Sequence, residues 1–304
     1  MKKLNYLGIL ISFISLCSLQ IKANPWTESQ SESLKLEAKT IAVLLKGYSE
    51  GLDYTGKDIK SMKTLLKKDY FGSVDEIEEF IGQNNRVKDF KNYLKSLDKR
   101  LSKGDKLIIF YAGHGSELGN NDTELLLSQN EAISMSFLVS TLEKLAKKKI
   151  KSLLIVDACA SGLYFDKNKV KARAEIIYIM SSTSSQVAIE NKRIKNGLLT
   201  QFLSDAVKGE ANIGRVTKEN REITVTEVEK FLKKRMEKFI KKQYGKKAKY
   251  FQIPVIVGKG DELLATSKIP VRPQKGLWFW SDKLFQWVEG IQIETDKSPD
   301  TKNN

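Results

Sequence analysis

The sequence predicts an α/β domain in which a mostly parallel sheet is covered by helices on both faces. Two patterns carry that expectation. Runs such as Lys106-Leu-Ile-Ile-Phe-Tyr-Ala112 and Ser152-Leu-Leu-Ile-Val156 are apolar at nearly every position, as strands buried on both faces must be. Segments apolar at helical spacing alternate with them, which is the order of strand–helix–strand units. Size and composition agree: the 304 residues are 41% hydrophobic and 9% aromatic, enough for a sizeable core and too apolar for general disorder.

Thr40 to Leu45 is a short apolar run, β-branched at its start and followed by Gly47, and reads as a buried strand. Residues 58–66 set Ile59, Met62, Leu65 and Leu66 on one helical face, with Asp58 as a plausible N-cap. Val74, Ile77 and Phe80 belong to a segment that the pattern does not assign. Val87, Phe90, Tyr93, Leu94, Leu97 and Leu101 define an amphipathic helix, and Gly104-Asp105 then turns the chain into the 106–112 strand. Beyond it, 124–127 reads as a short strand, 136–146 as a helix, 152–156 and 176–180 as buried strands. Helices at 197–207 and 226–240 and a last strand at 253–257 follow. One domain therefore spans 38–262, between a polar lead-in at 24–37 and an extension at 263–304.

The first 23 residues read as a secretory signal peptide. Lys2 and Lys3 supply the charged start, Leu7 to Leu19 the apolar run, and Ala23 a small residue before the cut. The run is shorter than the roughly 20 residues of a bilayer span. An uncleaved N-terminal anchor is the alternative; lipid attachment at Cys17 fits less well, because Leu16 is bulky for such a site. The chain is thus expected to be exported, periplasmic or secreted, with membrane association left open. Lys and Arg number 52 against 37 Asp and Glu, and the net charge of +15 falls to +12 if Lys2, Lys3 and Lys22 leave with the peptide. Spread through segments such as 230–249, this surplus reads as a solvated basic face, or as attraction to acidic envelope polymers. Export argues against a nucleic-acid partner. Trp278, Phe279, Trp280, Phe285 and Trp287 crowd the extension, which reads as an interfacial element or as a packed lid or partner contact.

Two cysteines and one histidine can build neither a disulfide framework nor a zinc finger. Without its first 23 residues the chain keeps one cysteine, Cys159, and one histidine, His114. Strand 106–112 ends in Gly113-His114-Gly115-Ser116, and strand 152–156 ends in Asp157-Ala158-Cys159-Ala160-Ser161-Gly162. Sites in such sheets gather at the carboxyl ends of the strands. A single strand–helix step separates the two ends, so both residues should face one crevice. Histidine can serve a thiol as base or as neighbouring cation. The flanking glycines let a substrate backbone approach and leave backbone amides for an oxyanion. Singly, Cys159 reads as a small buried hydrophobe and His114 as a turn residue; together they point to a Cys–His dyad.

Phe110-Tyr-Ala-Gly-His-Gly115 and Asp157-Ala-Cys-Ala-Ser-Gly162 resemble the two catalytic motifs of caspase-like cysteine peptidases, particularly metacaspases and their bacterial relatives. The similarity covers about 38–262 and includes Gly56-Lys57-Asp58, Gln186-Val-Ala-Ile-Glu190 and Asn196-Gly197-Leu198-Leu199-Thr200. It implies a caspase-hemoglobinase-like sandwich with about six strands between helices. It also implies cysteine-type endopeptidase activity on a protein or peptide, with Cys159 as nucleophile and His114 as acid/base. The backbone amides of Gly115 and Cys159 would form the oxyanion hole. Asp157 corresponds to a residue lining a pocket for Arg or Lys, and Asp58 and Ser182 match further pocket positions. A carboxylate there pairs a cationic side chain and repels an anionic one. Metacaspases often have His after the nucleophile, where this chain has Ala160. The paired acids that bind calcium in many of them are not evident near residues 182–185, so no metal or cofactor is expected, with calcium activation the less favoured alternative. Basic residues in the 166–174 segment read as a solvated loop or as a self-processing linker cut after Lys171 or Arg173. The competing reading is a catalytically silent caspase-like module that binds partners or the cell envelope.

Overall fold

In a computed structural model the described residues are 38–81, 87–184, 186–212, 222–245, 252–267, 278–281 and 286–289. All belong to the unit that begins at Ala38, and the expected signal peptide (1–23) and lead-in (24–37) lie outside the described residues. The chain enters the central sheet at β1 (Thr40–Lys46), crosses through α1 (Thr55–Lys67) to β2 (Glu76–Phe80), and returns through α2 (Val87–Arg100) to β3 (Lys106–Ala112). A small antiparallel sheet follows, made of β4 (Gly115–Leu118), β5 (Asp122–Leu126) and β6 (Ala132–Ser134). Next come α3 (Met135–Lys147), β7 (Lys151–Asp157), α4 (Leu163–Asn168) and β8 (Ile176–Met180). The two-residue strands β9 (Glu190–Asn191) and β10 (Asn196–Gly197) lead into α5 (Leu198–Val207). They are followed by β11 (Glu222–Thr224), α6 (Val225–Tyr244), β12 (Val255–Val257) and β13 (Leu263–Thr266). A hairpin of β14 (Trp278–Ser281) and β15 (Gln286–Glu289) sets Trp280 opposite Trp287.

The central sheet has six strands in the order β12-β8-β7-β3-β1-β2, parallel throughout except for the edge strand β12. Alternation along each strand builds two cores. Ala42, Leu44, Ile108, Phe110 and Ile155 face α1, α5 and α6; Ile41, Val43, Ile109, Tyr111 and Leu154 face α2, α3 and α4. Helix α6 is started by a capping box: Thr224 accepts from the Glu227 amide while Glu227 returns a carboxylate to the Thr224 amide. Its basic flank is laced by the pairs Lys233–Glu229 and Lys241–Glu237. Among the described residues no helix is long and apolar enough to cross a membrane.

Several sequence expectations shift. The helix expected at 58–66 starts at Thr55 and its cap residue is Tyr54, so Asp58 is not an N-cap; it is a buried acid in the first turn. The unassigned segment around Ile77 is β2, an edge strand whose three glutamates mask its apolar positions. The expected domain end at residue 262 falls short. Strand β13 pairs with β11 and buries Leu264 and Ala265, so the domain runs on to at least Thr266. Residues 163–168 are helical, which shortens the 166–174 loop to an exposed stretch from Lys171 to Ala174.

Ile155 sits fully buried at the centre of β7, the strand that delivers Cys159. Ile155→Ala should lower the unfolding free energy by about 2–5 kcal/mol, read from denaturant midpoints. A loss below half a kcal/mol would mean the core there can collapse around the deletion.

Candidate active site

Parallel pairing aligns β3 with β7 so that Ala112 lies opposite Asp157, and the chain leaves both strands at one level. His114 comes two residues after the first strand and Cys159 two after the second. Both line one narrow cleft with Gly113, Asp157, Asp58, Glu190 and Gly197. The expected dyad residues and two of the three expected pocket residues are therefore brought together.

His114 is fixed from three sides. Its amide donates to the Tyr48 carbonyl, 3.1 Å away, and its own carbonyl accepts from Leu126 N (3.1 Å) and from the buried Tyr111 hydroxyl (2.6 Å). Its ring Nε2 lies 2.8 Å from the Glu50 carbonyl. A carbonyl only accepts, so Nε2 carries the proton, and in the neutral ring Nδ1 is left as the acceptor for a thiol proton. Tyr48 packs its ring tilted against the imidazole, 5.8 Å between centroids. The loop between β1 and α1 thus holds the histidine that β3 delivers.

Cys159 is half-buried on a tight turn. Burial pushes its thiol above the usual range, and the Asp157 carboxyl adds to the rise while an amide hydrogen bond from Ala188 opposes it. A thiol rather than a thiolate is the resting form, which leaves its proton for a base to remove. Ala160, the next residue, has φ 51° without being glycine, a left-handed conformation that costs roughly 1–2 kcal/mol. Hydrogen bonds around it hold that turn: its amide donates to the Gln186 carbonyl and its carbonyl accepts from Thr123 Oγ1 at 2.8 Å. Gly115 packs directly on this turn. A Cβ there would come 3.0 Å from the Ala158 methyl and closer still to the Cys159 carbonyl, so glycine is required for the approach.

Ser182 is placed differently from the pocket role expected of it. It is fully buried beneath the turn, its hydroxyl donates to the Ala158 carbonyl (3.2 Å) and its carbonyl accepts from Gly162 N (2.8 Å). Ser181 does the same job, donating to the Ala158 carbonyl at 2.6 Å and accepting from the Ala158 amide at 3.0 Å. Both serines support the Cys159 loop from below and do not line the cleft.

The acids line it instead. Asp157 uses one oxygen, Oδ2, to accept from the amide and hydroxyl of Thr200 at 3.0 and 2.7 Å. Thr200 stands in the first turn of α5, whose own cap residue, Gly197, offers no side chain, so Asp157 caps that helix from a neighbouring strand. Asp58 accepts from Gly197 N at 2.9 Å. Glu190 accepts from the amides of Asp53 (2.8 Å) and Tyr54 (3.0 Å). Buried in this cleft, the two aspartates resist ionisation. Burial above all, then the charges of Asp157 and Glu190, push Asp58 up to about 8; burial and then Glu190 push Asp157 up to about 6 against the two Thr200 hydrogen bonds. Among the described residues no group of His, Cys, Asp or Glu is arranged to hold a metal ion.

Four contributors escaped the sequence reading: Glu190, Thr200, Tyr111 and the Glu50 carbonyl. Glu190 and Thr200 fall in stretches already marked by the resemblance, and Tyr111 in the histidine motif. A backbone carbonyl carries no signal in the sequence.

The raised acids make stability depend on pH. Between the ordinary aspartate value near 3.9 and about 8, folded Asp58 retains a proton that the unfolded chain has lost, so stability falls as pH rises through that window. Asp58→Asn removes the dependence while keeping an oxygen for Gly197. Its melting temperature should gain on wild type steadily from pH 5 to pH 8. A constant difference would show that Asp58 ionises freely.

A caspase domain family model matches residues 40–260. No curated protein matches the chain significantly. Among solved structures, caspase-1 from Spodoptera frugiperda aligns with a TM-score of 0.53 at 12% identity, covering 76% of this chain and 90% of its own. Protein GSU0716 from Geobacter sulfurreducens aligns with a TM-score of 0.50 at 14% identity, covering 77% and 99%. At such identities these likenesses establish the fold. The family match spans most of the chain, and with the fold it shows that the chain belongs to the caspase-domain family of cysteine peptidases.

Proposed function

We propose that the protein is an active, metacaspase-type cysteine endopeptidase that cleaves after Arg or Lys. The observation that carries this reading is the convergence of Asp58, Asp157 and Glu190 on the cleft shared by Cys159 and His114. Three carboxyls crowd the cleft, two of them, Asp58 and Asp157, held above the usual aspartate range chiefly by burial, and one cation stabilises such a group, so a guanidinium or ammonium is the side chain that the cleft favours. An aspartate side chain would bring a further negative charge into a cleft whose own aspartates already resist carrying one. Both Asp157 hydrogen bonds with described residues fall on Oδ2, which leaves the lone pairs of Oδ1 for a ligand. The free cleft is only about 30 Å³, room for a water or two, so substrate must widen it.

In the reaction, His114 Nδ1 takes the Cys159 proton as Sγ attacks the carbonyl carbon before the cut bond. The oxygen becomes an oxyanion held by the amides of Gly115 and Cys159. The histidine then gives its proton to the leaving amine, and water hydrolyses the thioester to regenerate the thiol. The Glu50 carbonyl keeps the ring in the tautomer that both transfers need. A silent binding module has no use for this arrangement. Export through the first 23 residues fits a lone reactive thiol. The exposed stretch around Lys171 and Arg173 gives the enzyme a site in its own chain that matches its preference. The basic surplus suits a place near acidic envelope polymers.

Turnover of matched peptides ending in Arg, Gln or Asp before the cut bond tests the reading. Wild type should prefer Arg, and Cys159→Ala should be inert, since losing the nucleophile costs about 10³-fold or more. Asp157→Asn should lose about 2–5 kcal/mol of transition-state binding on Arg and far less on Gln. A preference for Asp would refute the cationic pocket. An equal fall on all substrates would reduce Asp157 to its part as the α5 cap.

A further inference from the structure

Loop 47–54 joins the two halves of the site. At one end its Glu50 carbonyl orients the His114 ring. At the other, the amides of Asp53 and Tyr54 both donate to the carboxylate of Glu190, a residue 137 and 136 positions away along the chain. The two bonds use both oxygens, Oε2 for Asp53 and Oε1 for Tyr54. Glu190 in turn is anchored by β9–β10 pairing to Gly197, which lies against the Asp157 carboxyl and donates to Asp58. Between these ends the loop has a local turn, Leu52 N to the Ser49 carbonyl, and Tyr48 N bonds to the Leu126 carbonyl upstream. Within 50–54, the long-range hydrogen bonds among the described residues are those of Glu50 to His114 and of the Glu190 clamp.

We propose that Glu190 is a positioning residue, whose carboxylate clamps the Asp53 and Tyr54 amides and so holds the Glu50 carbonyl in line with His114 Nε2. The inference rests on the peptidase reading for its kinetic consequence, though not for its structural one. A carboxylate suits the task because it is acceptor-only. A glutamine offers one oxygen, and its NH₂ would face an amide N–H that it cannot serve. The clamp leaves lone pairs on both oxygens, so a cationic side chain in the cleft can bond the same group without displacing the amides. Filling the pocket and steadying the catalytic base then act through one residue.

His114 is the only histidine in the sequence, so imidazole nitrogen–proton NMR of the full chain reports this residue alone. In wild type the neutral ring should show the Nε2–H tautomer only. Glu190→Gln should give a mixture of both tautomers, with kcat on an Arg peptide reduced about 10²-fold, as misplacement of a catalytic group does, and KM changed less. Glu190→Asp keeps the charge but is one methylene short of both amides, and should show the same mixed tautomers. Either variant holding a pure Nε2–H signal with wild-type kcat would overturn the inference. So would a Gln variant in which only KM rises, for Glu190 would then read the substrate and nothing more. If wild type proves inactive, the peptidase reading fails while the tautomer comparison still decides the clamp. Should Glu190→Gln not fold, Glu190→Asp carries the same two readouts.

Discussion

The register of β3 against β7 is the constraint from which the site follows. With Ala112 opposite Asp157, two continuous apolar strands end side by side, and the chain continues two residues from each to His114 and to Cys159. A slip of one residue would turn Tyr111 from one core to the other and carry His114 off the cleft. Against that slip stands the buried Tyr111 hydroxyl, which would lose the His114 and Leu126 carbonyls and enter the opposite apolar core unpaired. The hydrophobic cores thus bring His114 and Cys159 to one cleft, and the polar contacts fix their register and orientation.

Those polar contacts share out the work between layers. Ser181 and Ser182 hold the Ala158 peptide from beneath, and Gln186 and Thr123 hold Ala160 in its left-handed turn. Asp157 carries a cost as well as a bond. Buried among other acids, it is destabilising as a carboxylate, yet its bonds to Thr200 supply the first turn of α5 with a cap that Gly197 cannot provide. Glycine at 197 is required in its place, since a Cβ would run into that same carboxyl. Stability given up in an acidic cleft is the usual accompaniment of a binding site.

Much of this was legible in the sequence, for physical reasons. Buried parallel strands leave apolar runs, and α2 and α6 leave periodic stripes, so the architecture could be read from pattern alone. The dyad stood out because the chain has a single histidine and, past residue 23, a single cysteine, both placed just after such runs. What escaped depended on long-range partners. Asp58 has the composition of an N-cap and became a buried acid because Gly197, 139 residues on, donates to it. Ser182 matched a pocket position but turned inward to the Ala158 carbonyl. Strand β2 hid behind its glutamates, and β13 lay past the expected boundary because its pairing with β11 has no local signature.

The central claim is that Cys159 is a nucleophile served by a pocket for cations. Its most direct measurement is covalent capture: wild-type protein at neutral pH is treated with a peptidyl-Arg chloromethylketone or its Asp counterpart, and the modified residue is located by mass spectrometry. The account predicts that the Arg reagent attaches to Cys159 and reacts far faster than the Asp reagent. An unmodified Cys159, or faster capture by the Asp reagent, would contradict it.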